Sequence, residues 1–313
     1  MSTLIIGGTG FIGRRLVDLL VAEDERVVCL DLTPAPASFE RYGSQVEVIR
    51  GDVAQFDDVL AATLAAKPSR IVNLAYALTP HAPCHAAFKL NVVGMHNCFE
   101  AAHMCEIDRV VFGSSLAASG PQSKHGYDKV VDEDEPRYGT NQYAVHKIFN
   151  EEHARDYNEK YGMEVISFRP ANVTGVDKVA GGLDHIQCVT FPAAGKAITF
   201  PYKDRYHCPI HVEDLALGLS KVVMAEKPRH SIYNSGGTPI NLGELADLVR
   251  ELIPDADISF EHETGAQEIS TNYLIDNSRL LEEFDIEYRP YRERVRQMID
   301  EVRAAESVPV PAA

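Results

Sequence analysis

A tyrosine and a lysine four residues apart, in Tyr143-Ala144-Val145-His146-Lys147, are the residues best suited to proton chemistry. On a helix this spacing puts both side chains on one face. An ammonium beside a phenol favours the phenolate and draws its pKa down from about 10 towards neutrality. A tyrosine tuned in this way passes a proton to or from a secondary alcohol while a hydride leaves or joins the same carbon. Gly113-Ser114-Ser115 supplies a hydroxyl, on Ser115, for that alcohol oxygen. A bare Tyr-x-x-x-Lys is common, and its plainest reading is a surface pair, so the surroundings decide.

The hydride needs an acceptor, and the N-terminus offers a place for one. Thr3–Ile6 is an apolar run that ends in Gly7-Gly8-Thr9-Gly10-Phe11-Ile12-Gly13. Gly7, Gly10 and Gly13 stand at the spacing of a dinucleotide-binding turn. The first permits the tight turn, the second lets backbone approach a pyrophosphate, and the third lets the helix pack close to the strand. The N–H groups at the start of that helix face the phosphates. Asp31 ends the next apolar run, where a carboxylate accepts ribose hydroxyls. Leu32 and Thr33 follow, with no Arg for a 2′-phosphate, so NAD is expected over NADP; Arg14 and Arg15, just past the glycines, pull the other way. Asp52, in Gly51-Asp52-Val53, is placed to receive an adenine amino group or to cap the helix after it.

These groups need a scaffold. Arg26–Leu30, Val46–Arg50, Ile71–Leu74, Arg109–Phe112 and Glu164–Arg169 read as further strands. Phe11–Ala22, Phe56–Ala66, about His85–Met104 and Gln142–Tyr161 read as helices between them. Continuous apolar strands joined by helices predict a parallel sheet covered on both faces. After Pro170 the pattern changes. Residues 171–210 are rich in Gly, Pro and aromatics and show no long periodicity. Val212–Ala225 is a predicted helix and Ile232–Asn234 a strand. Asn241 and Glu244 form a capping box for a helix ending at Leu252. A last helix runs from about Pro290 to Ala304, and 305–313 is expected to fray.

Composition bounds the reading. The chain has 313 residues, 45% hydrophobic, 24% charged and −16 in net charge. Such acidity disfavours nucleic acid and anionic membranes but not a small anionic ligand held locally. No apolar run is long enough to span a bilayer, and the N-terminus does not read as a signal peptide. Six scattered Cys, at 29, 84, 98, 105, 188 and 208, suit reduced thiols and a cytoplasmic setting.

Taken in order, the motifs resemble those of the extended short-chain dehydrogenases/reductases, the group that contains the sugar-nucleotide epimerases. They are GGTGFIG, Asp31, GDV, Asn73-Leu74-Ala75-Tyr76, Asn91-Val92-Val93-Gly94, GSS, YAVHK, RPANVTG and HVED, followed by YNSGGTPINLGELADLV. The resemblance implies an α/β, Rossmann-type doubly wound parallel sheet with a smaller C-terminal substrate lobe. Residues 1–170 with about 211–235 would bind NAD, and 171–210 with 236–304 would bind substrate. By position, Tyr143 is the proton donor and acceptor, Lys147 holds ribose and tunes Tyr143, and Ser115 holds the substrate oxygen. Gly7, Gly10, Phe11, Ile12, Gly13, Asp31, Asp52, Val53, Leu74, Ala75, Tyr76, Asn91 and Ala171 would line the cofactor together with Tyr143 and Lys147. Ser115, His81, Asn172, His185, Arg205 and His207 would meet the substrate. Many members form a homodimer through the helices matching 85–104 and 142–161.

The family divides by substrate. No carboxylate follows Ser115 in Leu116-Ala117-Ala118-Ser119, which argues against dehydration. Asn172 falls where 4-epimerases hold a sugar diphosphate, yet their Arg before the HVED segment is His207 here, with Arg205 offset, and a second Arg before LIDNSR is missing. A diphosphate without such forks loses charge-assisted bonds worth ~1.5–3 kcal/mol each. The expected activity is therefore an NAD-dependent dehydrogenase or reductase acting on a small hydroxylated molecule. The alternative is an NDP-sugar 4-epimerase with tightly held NAD; a non-catalytic NAD sensor is a third reading. The substrate lobe also loosely resembles that of L-threonine 3-dehydrogenases.

The remaining polar clusters have plainer readings. His81, Cys84 and His85 lie close in sequence but lack a further metal ligand, so no metal is expected. His185, His207 and His211 meet substrate or satisfy the core, and Glu213 and Asp214 serve the N-terminus of a helix. His146 points away from the Tyr–Lys face. Asp132-Glu133-Asp134-Glu135 reads as a solvated loop, and Cys208 as a buried, inert thiol.

Overall fold

The computed structural model describes residues 1–78 and 82–307. His81, expected near the substrate, and 308–313 of the expected frayed tail lie outside them.

Seven parallel strands form the central sheet. They are β1 (Ser2–Ile6), β2 (Arg26–Asp31), β3 (Val46–Arg50), β4 (Arg70–Asn73), β5 (Arg109–Gly113), β6 (Glu164–Arg169) and β11 (Ile232–Asn234). Their spatial order is β3-β2-β1-β4-β5-β6-β11. The order reverses between β1 and β4, so a crevice opens at the carboxyl ends of those two strands. β1 is in register with both neighbours, Leu4 facing Val28 on one side and Ile71 on the other. Central strands of this kind bury both faces, which is why β4 reads as an unbroken buried run.

One apolar cluster packs α1 (Phe11–Ala22) and α7 (Val212–Met224) onto one face of the sheet, through Leu16, Leu20, Leu215 and Leu219 among others. A second packs α2 (Phe56–Ala66), α4 (Gly94–Met104) and α5 (Gln142–Tyr161) onto the other, through Val59, Met95, Phe99 and Tyr157. α3 (Cys84–Phe88) runs into α4 through one wide π turn at Lys89–Val93, so the predicted single helix is continuous but locally unwound. Asn91 sits in that turn. Its side chain bonds Ala77 in both directions, and its carbonyl accepts from Asn150 of α5.

The segment after Pro170 carries more structure than its composition suggests. It contains β7 (Asn172–Thr174), α6 (Asp184–Ala193), β8 (Ile198–Tyr202), β9 (Tyr206–His207) and β10 (Pro209–His211). Strands of two to five residues are too short to show a period, and Pro192 inside α6 breaks the helical pattern. β12 (Ile240–Asn241), α8 (Leu242–Leu252), β13 (Ile258–His262), α9 (Ser278–Phe284) and α10 (Tyr291–Ser307) complete the chain. α6, α8 and α10 share a third core of Ile186, Val189, Leu245, Val249, Val295 and Met298 with β8 and β13. The capping box at Asn241 and Glu244 forms as predicted.

One local reading is corrected and another gains a partner. The acidic run is not a solvated loop: Glu133 is 2% exposed, accepts from the Asn234 amide and pairs with Arg279. It ties the loop before α5 to β11 and α9. Glu213 and Asp214 open α7 as expected, and both carboxylates are also held by Arg294 of α10, which joins the sheet-flanking α7 to the third core.

Candidate active site

The glycine turn fits a dinucleotide. Gly7 has φ +83°, and a Cβ there would stand 3.0 Å from the Ala75 nitrogen of the next strand end. At Gly13 a Cβ would come within 2.4 Å of the Gly7 carbonyl oxygen, so only glycine lets α1 begin against the strand. α1 starts at Gly10 without any side-chain cap, leaving its first N–H groups for an anion. Beside the turn, the Asp31 carboxylate accepts from both the amide and the hydroxyl of Thr9, at 3.2 and 2.6 Å. These bonds fix the carboxylate at the carboxyl end of β2 with accepting capacity to spare.

The residues that raised the NADP question are engaged elsewhere. Arg14 and Arg15 both donate to Asp177, each at 2.6 Å. Asp52 accepts from the Ala54 amide in a local turn, and Gln55, not Asp52, is the N-cap of α2. Val53 is buried against Gly94 and accepts from Asn97 through its carbonyl. Phe11 and Ile12 pack against the first core, as do Leu74 and Ala171, and Ala75 and Tyr76 against the second.

Lys147 and Tyr143 come together where β4 and β5 end. Lys147 is 2% exposed and donates to the Gly113 carbonyl. Its Nζ lies 3.2 Å from the centre of the Tyr76 ring and 5.4 Å from that of Tyr143. Tyr76 meets Tyr143 edge to face at 5.4 Å. Ser115 caps the short turn Leu116–Ala118 by accepting from Ala117.

The titration behaviour differs from the simple sequence argument. Burial raises the Tyr143 pKa, and the Ser115 hydroxyl only partly opposes it. Burial also holds Lys147 well below its ordinary value, with Glu151 pulling it back up. In this dry site, desolvation of each group outweighs the attraction between them. A bound substrate oxygen and cofactor charge are what remain to bring Tyr143 down.

Behind the pair, α5 carries a residue that the sequence argument missed. Glu151 follows Lys147 by one turn and lies on the same face. Its carboxylate accepts from Ser114, Ser167 and Arg169, and pairs with Arg137 at 3.1 Å. The i, i+4, i+8 spacing of Tyr143, Lys147 and Glu151 was the available signal.

On the substrate side, Asn172 accepts from the Cys208 amide at 2.8 Å. Asp184 gathers the other expected residues: His207 Nε2 lies 3.1 Å from its carboxylate, His185 Nδ1 3.4 Å and Arg205 3.5 Å. Lys178 stands near but spends its ammonium on the Val173 and Gly182 carbonyls. His211 stays out of this group and caps α7. Cys208 is buried, and burial raises its thiol pKa.

A model of the NAD dependent epimerase/dehydratase family matches residues 3–236. The chain belongs to this family. It is an NAD-dependent enzyme of the extended short-chain dehydrogenase/reductase group. A UDP-glucose 4-epimerase of Mycolicibacterium smegmatis is 31% identical to it, over 56% of this chain and 57% of that protein. A uronate dehydrogenase of Pseudomonas putida is 29% identical, over 53% and 59%. The solved L-threonine 3-dehydrogenase of Trypanosoma brucei shares the fold, with a TM-score of 0.86, 20% identity and 98% coverage of both chains. The family thus spans epimerases and dehydrogenases. Among the described residues, no helix is long and apolar enough to cross a membrane.

Proposed function

We propose that the enzyme transfers a hydride between nicotinamide and a secondary alcohol or ketone carbon of a small hydroxylated substrate that carries no nucleotide diphosphate. Tyr143 serves as general acid and base, Ser115 holds the substrate oxygen, and Lys147 holds ribose. NAD supplies the hydride acceptor when bound. In oxidation, the alcohol proton passes to Tyr143 Oη as the carbon gives up its hydride. Asp31 and the first turn of α1 orient the cofactor, and burial at Lys147 excludes water. Asn172, His185, Arg205 and His207 face the substrate.

The observation that favours this reading over epimerisation is Asp184. A carboxylate stands among the residues that would have to grip a diphosphate, and it already takes Arg205. His185 beside it is neutral at pH 7, its pKa lowered by burial to about 4. A diphosphate there meets one occupied Arg and a like charge, whereas a polyol or hydroxy acid meets hydrogen-bond partners.

The test compares wild type and Tyr143→Phe on a panel of small alcohols, hydroxy acids and sugars, following NADH. The expected result is turnover in the wild type and a fall of roughly 10²–10⁴-fold in the variant, with NAD affinity little changed. Undiminished turnover in the variant sinks the assignment. Purified enzyme that holds non-exchanging NAD and binds a UDP- or dTDP-sugar saturably shifts the reading to the epimerase.

A further inference from the structure

We propose that Tyr76 is a positioning residue whose aromatic face sustains the positive charge of Lys147 at the carboxyl ends of β4 and β5. The inference rests on the proposed roles of Tyr143 and Lys147.

The Lys147 ammonium is buried, and among the described residues its one hydrogen-bond acceptor is the neutral Gly113 carbonyl. A buried ammonium needs more than one neutral acceptor to stay charged. The nearest carboxylate, Glu151, is already shared among Ser114, Ser167, Arg169 and Arg137. His146, next in the chain, contributes no negative charge, and burial and then Lys147 lower its pKa. Asn91, on the neighbouring turn, spends its side-chain oxygen on the Ala77 amide, and Asn150 of α5 spends its amide nitrogen on the Asn91 carbonyl, though its own Oδ1 is unpartnered among the described residues. Two rings remain, that of Tyr143 at 5.4 Å and, much nearer, the face of Tyr76 at 3.2 Å. A desolvated cation over a ring face at this range is among the stronger cation–π contacts.

The ring is held for this task. Asn73 Oδ1 accepts from the Ala75 amide, and Asn91 clamps Ala77 on both sides of its peptide group. Tyr76 is thus fixed between two backbone anchors. Among the described residues its buried hydroxyl has no hydrogen-bond partner, so no such contact ties the ring through its oxygen. The face of the ring is what the site uses, and phenylalanine would supply it.

The experiment uses Tyr76→Phe, Tyr76→Leu and Lys147→Met in the full chain. NAD affinity is measured by calorimetry across pH, and the pH profile of kcat is measured with the best substrate. Losing the ring face lowers the Lys147 pKa, so Lys147 loses its charge at lower pH. In Tyr76→Leu, the alkaline limb of NAD binding and of kcat moves down by about one pH unit. In Tyr76→Phe it stays at the wild-type position, and in Lys147→Met it disappears. A Tyr76→Leu profile that coincides with the wild type overturns the inference, as does an alkaline limb that survives in Lys147→Met. A merely structural role for Tyr76 predicts lower stability in Tyr76→Leu without movement of the limb. If Tyr143→Phe retains turnover, the proposed function itself fails; if it does not and the limb is unmoved, only the role of Tyr76 fails.

Discussion

Arg169 and Glu151 face each other with no solvent exposure, joined by two hydrogen bonds at 2.8 and 2.7 Å. The pair links β6 to α5, and Ser114 of the β5 end joins the same carboxylate at 2.6 Å. One turn before Glu151 on α5 is Lys147, and two turns before it is Tyr143. One residue past Ser114 is Ser115. A single buried ion pair therefore sets the relative position of all three proposed catalytic groups.

Replacing Glu151 with Gln removes the one carboxylate that the buried Arg169 grips directly, leaving Glu133 as a more distant anion. Breaking one half of such a pair costs about 3–5 kcal/mol. The expected outcome is a matching drop in urea unfolding free energy, together with reduced turnover and weaker NAD binding, because Lys147 loses the carboxylate that supports its charge. The pair also acts on pH stability. Arg169 holds the Glu151 pKa below its ordinary value of 4.5. The contribution is complete above that value and is lost as the pH falls below it. Glu151→Gln should flatten the acid limb of a stability–pH curve, and an unchanged limb would count against this account.

The sheet and its cofactor turn were legible because parallel strands are short apolar runs bounded by glycine and charge. Phe11–Ala22, Val46–Arg50, Phe56–Ala66, Gln142–Tyr161 and Glu164–Arg169 occur with the boundaries read from sequence. The segment after Pro170 was not legible, since its strands hold through pairing with distant partners, such as Pro209 with Asn172 and Ile258 with Ile198. Glu133 reads as solvated in an acidic run because its partners, Asn234 and Arg279, lie a hundred or more residues away. The competition between burial and charge at Tyr143 and Lys147 is likewise a property of packing, which spacing alone does not carry.

Asp31 should govern the choice between NAD and NADP. It stands at the end of β2, while Arg14 and Arg15 are neutralised by Asp177. Asp31→Ser removes the ribose acceptor and the repulsion towards a 2′-phosphate. The expected result is NAD binding weakened by roughly 10–100-fold, with the NADP preference rising by a similar factor. Adding Asp177→Asn releases the two guanidinium groups and should strengthen NADP further. Dissociation constants for both cofactors check this; an unaltered NAD/NADP ratio in Asp31→Ser would remove Asp31 from the role.

Two buried histidines make the chain sensitive to mild acid. Burial lowers the pKa values of His185 and His211 from 6.5 to about 4. Lys178 and His207 add to this at His185, and Arg294 and Arg15 at His211, against Asp184, Glu213 and Asp214. Between these pH values the unfolded chain binds protons that the folded chain refuses, so stability falls as pH drops through the window. The expected slope between pH 6 and 5 approaches two protons. His185→Gln with His211→Asn should remove most of it, Asn preserving the cap of α7. A slope unaffected by the double variant would assign the acid sensitivity to other groups.

The outer side of α5 gives the last prediction. Val145 and Phe149 are 51% and 48% exposed, one turn apart, and His153 continues the line, stacked on Phe149. These positions are offset by two residues from Tyr143, Lys147 and Glu151, which places them about 200° away around the helix. α4 lies alongside, with His96 bonded to His153. Exposed Val145 and Phe149, flanked by the His153–His96 pair that reaches α4, mark a candidate contact surface, and a second copy of the chain is the partner implied by the family resemblance. The wild type should elute at twice 34.6 kDa. Val145→Glu with Phe149→Glu puts a like charge on each side of a two-fold contact, so the variant should elute as a monomer with its cofactor turn intact. Light scattering on both proteins decides it: a monomeric wild type at micromolar concentration, or a variant that remains dimeric, places any dimer contact on another face.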